Sequence, residues 1–530
     1  MNLATVFLAV VLVADLVGFG ARPALAQTTL HRGNTADPET LDQHKTSTVY
    51  EANILRDLYE GLAIHDAKAD VVPGAAESWS VSPDGKVYTF KIRADARWSN
   101  GDAVKASDFV FSLRRIMDPA TAAKYANVLY PIRNAEKVNK GAAPVEELGV
   151  RAAGDSVLEI ALENPTPYFL ELLTHQTGLP VHPASVQKLG ADFVKPGNMV
   201  TNGPYTLVSF TPKDRLELRK SPTFHDAASV KIERVFYYPT EDRSAALRRF
   251  QAGELHVNDD IPTEQAKWIK QNLAGQFKSA PYLGTYYFVF NTRKKPFDDA
   301  RVRRALSMVV DREFLAEEIW GGTMLPGYSL VPPGTHNYPV VATLPYKDQP
   351  LLDREDAAKA LLAEAGYGPN HPLKLEIIYN TSENHKNTST AIADMWKAIG
   401  VETTLFNRDT ATHYALLRDK GDFDVARAGW IADYNDPHNF LFLLKSDNKG
   451  LNYATWADPR YDELLDRAAQ TLDLEARAKD LREAEQIALQ EEPYMVLLTY
   501  MSKNLVSDKV QGWKENVKDV HPTRFLSLKP

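Results

Sequence analysis

Alternating and helical patterns of apolar residues along the chain predict a mixture of strands and helices. Residues 87–93 alternate with a period of two after a turn at 82–85, and residues 107–117 have the spacing of an amphipathic helix. A buried strand is predicted over 282–291 and a helix over 301–319, where the apolar positions share one face. The elements predicted after these are, in order, a helix over 353–365, a strand over 373–379, a helix over 387–399, a strand over 401–406, a helix ending at 420, a strand over 423–428 and a long helix over 462–490. This alternation predicts an α/β domain with a largely parallel sheet in the second half of the chain.

The length and composition point to a multidomain globular protein. The 530 residues are enough for about three domains of roughly 150 residues each, and 44% hydrophobic residues can supply large cores. No repeat or low-complexity linker separates the segments, so we expect domains joined by crossing strands. The net charge of −8 argues against a nucleic-acid partner. The absence of cysteine excludes disulfides, thiol nucleophiles and cysteine metal sites.

The beginning of the sequence resembles a secretory signal peptide over residues 1–26. Residues 3–19 are almost wholly apolar, and Ala-Leu-Ala at 24–26 is a small-residue cleavage pattern, so the mature chain is expected to begin near Gln27. No basic residue precedes the apolar run and Asp15 interrupts it, which departs from the usual pattern. The alternative is a membrane helix, against which the acidic interruption and the cleavage pattern both argue. We therefore expect a periplasmic protein with no membrane span after cleavage and, without cysteine, no lipid anchor.

The sequence contains none of the common catalytic motifs. We find no nucleophile elbow, zinc-binding helix, phosphate-binding loop or dinucleotide fingerprint. The 13 histidines are scattered, and none lies four residues from another in the pattern of a helical metal pair. We therefore expect neither an enzyme nor a bound cofactor.

Four stretches, in this order and spacing, carry a family resemblance. They are 76–110, with AESW and the turns DG and NG; 202–205, NGPY; 291–312, with PFDD, RVRRAL and DR; and 423–437, FDVARAGWIADYNDP. Together they resemble the family-5 extracytoplasmic solute-binding proteins of peptide ABC transporters, in the oligopeptide- and murein-peptide-binding branch. The resemblance extends from Gln27 to the end of the chain.

The resemblance implies an α/β fold of the type II periplasmic-binding-protein kind, with two lobes, an extra inserted domain and closure about a hinge. It implies a discontinuous domain I made of 27–58, 185–283 and 501–530, a domain II over 59–184 and a domain III over 284–500. The implied function is to bind a short extended peptide between the lobes and deliver it to a membrane permease powered by ATPase subunits. We expect the protein to be a monomer.

In this family one buried aspartate binds the peptide's ammonium group, and the matching residue is Asp433. The alternative is that Asp433 only caps the next helix. Because Pro437 suits the first helical position, Asp436 is the better cap, which leaves Asp433 free. Trp430 resembles an aromatic wall of the ligand pocket, with ordinary core packing as the alternative.

Other ligand contacts implied by the resemblance fall into three sets. Backbone pairing with the peptide would come from Ala428, Gly429, Ile431, Ser47, Thr48 and Val49. Basic side chains for the carboxylate end, with structural or solvated charges as the alternative, would be Arg427, Arg418 and His385. Tyr125 and Tyr287 match tyrosines of the pocket. Backbone pairing is blind to side chains, so broad peptide tolerance is expected.

The chain departs from the family pattern in ways that leave the ligand open. Ser47 and Val289 replace glutamates, and no lysine near 320–322 matches the one that meets longer peptides. A murein tripeptide, or a non-peptide solute such as nickel, haem, an opine or a sugar, remains an alternative ligand because one fold serves many solutes. An exported peptidase is a further alternative, disfavoured by the missing catalytic motifs.

Overall fold

The computed structural model describes residues 28–529, so the predicted signal peptide lies outside the described residues. The strands are β1 Thr29–Gly33, β2 Ala63–His65, β3 Val71–Pro73, β4 Ala76–Val81, β5 Val87–Ile92, β6 Val150–Ala152, β7 Val157–Ala161, β8 Tyr205–Thr211, β9 Arg215–Lys220, β10 Arg234–Tyr238, β11 Val257–Asn258, β12 Phe277–Lys278, β13 Pro281–Phe290, β14 Met324–Pro326, β15 Lys374–Asn380, β16 Glu402–Arg408, β17 Val425–Ile431, β18 Tyr494–Met501, β19 Asn504–Val506, β20 Val510–Gln511 and β21 Ser527–Leu528.

The helices follow the same order along the chain. They are α1 Val49–Leu58, α2 Ala106–Met117, α3 Ala135–Asn139, α4 Phe169–Leu173, α5 Pro183–Leu189, α6 Arg243–Gln251, α7 Ala266–Asn272, α8 Ala300–Met308, α9 Arg312–Phe314, α10 Leu351–Glu364, α11 Glu383–Lys397, α12 Thr410–Arg418, α13 His438–Leu441, α14 Pro459–Gln470 and α15 Leu474–Glu491. The predicted strands that became β5 and β13, and the predicted helix that became α2, are confirmed to within two residues at their ends.

The first lobe comprises residues 28–278 and 504–529 and contains two large sheets that share a core, together with the two-stranded sheets β2-β3 and β20-β21. The seven-stranded sheet has the order β12-β19-β11-β1-β10-β9-β8, and the four-stranded sheet has the order β4-β5-β7-β6. Leu30 and Val235 from the larger sheet belong to the same buried cluster as Phe90 and Leu158 from the smaller one. Because one continuous apolar core joins them, the two sheets are expected to move as a unit.

The second lobe, residues 281–501, surrounds a six-stranded sheet with its own core. The strand order is β14-β18-β13-β17-β15-β16. The alternation of strands and helices did produce the parallel unit β16-β15-β17, but the other three neighbouring pairs are antiparallel. The prediction of a largely parallel sheet was therefore wrong. β13 and β18, which enter and leave the lobe, form an antiparallel pair, and β13 is also antiparallel to β17. Local periodicity does not reveal this arrangement.

Two short segments connect the lobes, between β12 and β13 and between β18 and β19. They are hydrogen-bonded to each other: the Ser279 hydroxyl donates to the Ser502 carbonyl at 2.7 Å, and the Ser502 N–H donates to the Ala280 carbonyl at 2.9 Å. Each segment is only a few residues long and joins two separate cores. Relative motion of the lobes would therefore be concentrated at these crossings.

Two helices predicted as continuous are interrupted by capping aspartates. In the 301–319 segment, α8 ends at Met308, and the Asp311 carboxylate accepts a hydrogen bond from the Phe314 N–H at 2.9 Å to begin α9. In the 462–490 segment, Asp473 accepts from the Ala476 N–H at 2.7 Å and begins α15. Apolar periodicity runs through both breaks, whereas a favourable N-cap starts a new helix.

A buried ion pair ties the loop after β17 to the last long helix of the second lobe. Arg477 of α15 donates two hydrogen bonds of 2.8 Å to the Asp436 carboxylate, and both side chains are at most 2% exposed. The charged groups of this pair are satisfied mainly by each other. Removing one of them would leave the other charge buried and unpaired.

We expect Arg477→Met to lower the free energy of unfolding by about 3–5 kcal/mol, because Asp436 would stay buried without its cation. Chemical unfolding followed by circular dichroism measures the change. The double variant Asp436→Asn with Arg477→Met is the control and is expected to recover much of the loss. Equal destabilisation by the single and double variants would contradict the ion-pair explanation.

Candidate ligand-binding site

A cavity of about 190 Å³ lies between the two lobes. It is lined from the second lobe by Tyr282, Ile431, Ala432 and Asp433, and from the first lobe by Ser47, Thr48, Val49, Ala52, Arg56, Tyr125, His175, Gln176, Lys518 and Val520. The fold therefore brings six predicted residues to one place, namely Ser47, Thr48, Val49, Tyr125, Ile431 and Asp433. The volume is below the roughly 300–1,000 Å³ of typical ligand pockets, so this cavity suits one end of an extended ligand.

Asp433 lies just beyond β17 and points into this cavity as a half-buried carboxylate. The Tyr125 hydroxyl donates to it at 3.4 Å, and this hydrogen bond links the two lobes. Burial raises the pKa of Asp433 to about 6, although the Lys518 charge and the Tyr125 hydroxyl act in the opposite direction. No cationic side chain lies within 4 Å of this carboxylate among residues 28–529. The group can therefore accept a cation from a ligand.

Asp436, and not Asp433, has the capping role at the following short helix. Its carboxylate accepts a hydrogen bond from the His438 N–H at 2.9 Å. The helix begins at His438, one residue later than the sequence suggested, with Pro437 in the capping position. The alternative role for Asp433 is thus filled by a neighbouring residue.

The strand that leads to Asp433 has an open edge beside the cleft. β15 pairs with β17 only at Val425 and Ala426, whereas β13 pairs with β17 along its whole length. From Ala428 to Ile431, β17 therefore has a strand partner on one side only among the described residues. The Ala428 side chain is fully buried, so only its backbone could contact a ligand. Such an edge can pair with an added extended chain.

The segment at 47–49 forms the opposite wall from the first lobe. The N–H groups of Ser47 and Thr48 already donate to the Glu51 carboxylate at 3.1 and 3.2 Å, and the Thr48 carbonyl accepts from the Ala52 N–H. Thr48 and Glu51 form the capping box of α1, which fixes this segment. The Ser47 carbonyl and the Val49 N–H are the backbone groups left for a ligand.

Arg427 is a buried guanidinium surrounded by neutral groups. It donates to the Asn380 side-chain oxygen at 3.1 Å and to the hydroxyls of Tyr414 and Tyr500 at 3.0 Å each. The ring of Tyr286 lies 4.5 Å from its central carbon. In the part of the chain that the structure describes, no carboxylate forms an ion pair with Arg427. A buried cation held by hydroxyls and a π face retains the capacity to bind a carboxylate.

His385 belongs to the same cluster, whereas Arg418 lies at its margin. The His385 ring nitrogen Nδ1 is 3.1 Å from the Tyr286 hydroxyl. Burial, together with the charge of Arg427, lowers the pKa of His385 to about 3, so it is neutral and offers a hydrogen bond where the sequence suggested a charge. Arg418 ends α12 four residues after Tyr414, on the same helix face, and is exposed.

Two predicted pocket aromatics do not line the cavity. Tyr287 is 1% exposed and stacks on Tyr494 with ring centroids 4.4 Å apart. Tyr286, on the other face of the same strand, is the tyrosine that meets Arg427, because neighbouring strand residues point to opposite faces. The Trp430 indole N–H donates to Asn439 at 2.7 Å, and its ring packs against the core of the second lobe.

The Arg427 side chain lies along the strand that leads to Asp433. Arg427, Gly429 and Ile431 share one face of β17. The guanidinium lies 3.3 Å from the position of a Cβ atom on Gly429, so it extends along the strand towards Asp433. Three residues separate Gly429 from Asp433, and the last two residues of this segment, Ala432 and Asp433, lie beyond the end of β17.

Several contributors to this site carry no motif in the sequence. In the cavity they are Arg56, His175, Tyr282 and Lys518, and around Arg427 they are Asn380, Tyr286, Tyr414 and Tyr500. They come from segments far apart in the chain and meet only in the folded structure. The strand alternation along β13 places the adjacent Tyr286 and Tyr287 on opposite faces, so the sequence pattern alone allows either tyrosine to face the ligand.

The larger depressions among the described residues each lie on one lobe alone. A larger depression of about 800 Å³ lies on the outer surface of the second lobe alone, lined by residues such as Pro339, Val340 and Leu474. Within residues 28–529, no group of three or more metal-binding side chains is found. In the same residues, no helix is long and apolar enough to cross a membrane.

Two lobes joined by two crossing segments, with a cleft that offers a free strand edge between an unpaired carboxylate and an unpaired guanidinium, define a solute-binding protein with the type II periplasmic-binding-protein fold. Comparison with known families agrees. The family described as bacterial extracellular solute-binding proteins, family 5 (middle part) matches residues 70–452. The chain belongs to this family, whose members are binding proteins.

Individual proteins extend the likeness over nearly the whole chain. The periplasmic oligopeptide-binding protein OppA of Escherichia coli (strain K12) is 38% identical over 490 residues, which cover 92% of this chain and 89% of that protein. The unliganded open form of the periplasmic murein tripeptide binding protein MppA has a TM-score of 0.84 at 35% identity, covering 95% and 98% of the two chains. Haemophilus influenzae OppA in complex with RPPGFSPFR has a TM-score of 0.79 at 36% identity, covering 95% and 99%.

We expect the Asp433 carboxyl of the ligand-free protein to titrate near pH 6, and Lys518→Met to raise this pKa, because removal of the cation leaves burial unopposed. Carbon-13 NMR of the aspartate carboxyls measures both values. Lys449→Met, at an exposed position, is the matched control and should leave the midpoint unchanged. A midpoint near 4 in the unaltered protein would contradict the burial that the structure gives to Asp433.

Proposed function

We propose that this chain is the periplasmic solute-binding component of an ABC importer and that its ligands are short peptides, held in extended form between the lobes. Asp433 binds the ligand's ammonium group and Arg427 the carboxylate of short ligands. The observation that carries the proposal is the arrangement on β17: an open strand edge with an unpaired carboxylate beyond one end and an unpaired guanidinium near the other.

Each part of this arrangement corresponds to a feature common to all peptides. The free edge of β17 offers backbone groups in the manner of an added strand, which does not depend on side chains. The Ser47 carbonyl and the Val49 N–H would bind the peptide from the first lobe. A charged hydrogen bond at each end fixes direction and register. The ligand is thus selected by its termini and its backbone.

Contacts from both lobes make closure the consequence of binding. Tyr125 and residues 47–49 belong to the first lobe, whereas Asp433 and β17 belong to the second. A ligand that contacts both favours the conformation in which the lobes are close together and shifts the equilibrium towards it. The crossings at Ser279 and Ser502 are where the backbone would bend. The closed form would then be recognised by the permease, and partner ATPase subunits would drive transport.

The remaining assignments follow from the same function. Domain I is proposed to comprise 27–58, 185–283 and 501–530, domain II 59–184 and domain III 284–500. The protein is proposed to be exported by its signal peptide, without a lipid anchor, and to act as a monomer that leaves the peptide chemically unchanged. The names of OppA and MppA, which refer to peptide ligands and to the periplasm, support the ligand class and the compartment.

Replacement of Asp433 by Asn tests the ammonium site. The variant keeps the shape of the side chain but removes its charge, so we expect the dissociation constant of a mixed-sequence tripeptide to rise by at least about thirtyfold. Isothermal titration of ligand-stripped protein measures it. The N-acetylated form of the same tripeptide, which lacks the ammonium, should bind the unaltered protein about as weakly as the free peptide binds the variant.

Three comparisons make this test decisive. Asp356→Asn changes a carboxylate that is 85% exposed and should leave affinity unchanged. Affinity of the unaltered protein should decrease below about pH 6, by up to tenfold per pH unit, because the protonated carboxyl cannot pair with an ammonium. Equal binding of the free and acetylated tripeptides would remove Asp433 as the anchor, and failure of all peptides would overturn the peptide function.

Arg427→Gln tests the carboxylate end. We expect the affinity for tripeptides to decrease by about tenfold to a hundredfold, while longer peptides, whose carboxylate lies beyond Arg427, are affected much less. Titration with peptides of three to six residues measures the dependence on length. Arg460→Gln, on an exposed face of α14, is the control, and thermal unfolding monitors the fold. A uniform loss at all lengths would make Arg427 a structural residue.

A further inference from the structure

Arg56 faces the inter-lobe cavity without a partner. It lies in the last turn of α1, is half-buried, and makes no hydrogen bond or ion pair with any residue in the range 28–529. Its Nε atom is fully buried and unsatisfied. Burial lowers the pKa of Arg56 to about 10. The C-terminal end of a helix favours a positively charged side chain, which explains why this residue is a cation. It does not explain why the hydrogen-bond donors of this arginine have no acceptor in the protein.

Lys518 is a second cation in the same cavity, and it too lacks a carboxylate contact. Its ammonium donates to the Asp433 backbone carbonyl at 2.8 Å. The nearby carboxylate of Glu171 is already engaged by two histidines, with the His65 Nε2 atom at 3.1 Å and the His336 Nδ1 atom at 3.6 Å. Burial lowers the pKa of Lys518, and the charges of Glu171 and Asp433 only partly offset this effect.

His175 is a neutral side chain of the same cavity. It stacks on Tyr125 with ring centroids 5.6 Å apart and lines the same space. Burial, followed by the charges of Arg56 and Lys518, lowers the pKa of His175 to about 3, so the ring is neutral. The charged side chains that line the cavity are therefore two cations and one anion. Once a ligand's ammonium pairs with Asp433, both cations remain without an anionic partner from the ligand.

We propose that Arg56 and Lys518 form an anion subsite beside Asp433, so that this protein prefers peptides whose first residue carries a carboxylate side chain. This inference rests on the proposed function, because it assumes that the ligand's ammonium group lies at Asp433. A glutamate or aspartate in the first position presents an ammonium and a carboxylate within the same small cavity. The ammonium pairs with Asp433 and the carboxylate with Arg56 and Lys518, which satisfies all three charges.

Matched peptides test the subsite by calorimetry. Glu-Ala-Ala should bind the unaltered protein about tenfold to a hundredfold more tightly than Gln-Ala-Ala, because the free energy of a hydrogen bond between charged groups corresponds to a change in affinity of this size. Ala-Ala-Glu and Ala-Ala-Gln form the control pair, because an acid in the third position lies outside the subsite and should bring no such gain. A gain of equal size in the third position would indicate a general preference for acids and would overturn the proposal.

Variants locate the preference on the two cations. Arg56→Gln and Lys518→Met should each reduce the ratio of the Glu-Ala-Ala affinity to the Gln-Ala-Ala affinity towards one, and Arg56→Lys and Lys518→Arg should largely retain this ratio. The ratio is compared within each variant, well above the pKa of Asp433, because Lys518→Met also raises that pKa and can weaken the binding of both peptides. Gln-Ala-Ala is measured with every variant, so a folding defect would be seen as loss of binding of both peptides. In that case the charge-conserving variants Arg56→Lys and Lys518→Arg test whether the preference depends on the positive charge. If Gln-Ala-Ala and Glu-Ala-Ala bind the unaltered protein equally, the subsite fails and the peptide function stands. If neither binds, the peptide function fails, and the subsite fails with it.

Discussion

Charged groups buried without an oppositely charged side chain impose the main constraint on this cleft. Asp433 beyond the end of β17 and Arg427 near its beginning both lie in low-dielectric surroundings, and each is held by neutral hydroxyls. Such groups are costly to bury, because desolvation is not repaid by an ion pair within the protein. A ligand with a cation at one end and an anion at the other supplies both missing partners. The open edge of β17 lies between them.

Each lobe has its own main core, and the candidate site lies in the cleft between the lobes. Movement of the lobes relative to each other would therefore change the access of water to the site. The first lobe joins two sheets through one apolar core, and the second lobe has a separate core around β13 and β17. Only two short chain crossings connect them, although Tyr434 of the second lobe also packs against the first-lobe core and Val517 of the first lobe against the second-lobe core. While the cleft is open, its charges are hydrated. In the structure the Tyr125 hydroxyl donates a hydrogen bond to Asp433 across the cleft, so the two lobes are already in contact there.

Local sequence information predicted the elements better than it predicted their arrangement. Strands β5 and β13 and helix α2 follow from apolar alternation and spacing, which depend on nearby residues. The breaks at Asp311 and Asp473 were missed because periodicity continues through a capping residue. The antiparallel pairs of the six-stranded sheet were missed because β13 and β18, distant in the chain, pair with each other. The register of β13 in the sheet determines that Tyr286, and not Tyr287, contacts Arg427, because a shift of one residue along a strand reverses the face on which a side chain lies.

By itself the sequence determined the family resemblance, the strand that carries Arg427 and leads to Asp433, and the assignment of the cap to Asp436, because the motif at 423–437 is one continuous segment. The tertiary structure decided which further residues surround those charges. Arg56, His175, Tyr282 and Lys518 come from separate parts of the chain, and no local pattern marks them. The electrostatic character of the cavity depends on burial and on distances between such residues. These quantities exist only when the lobes are folded and placed against each other.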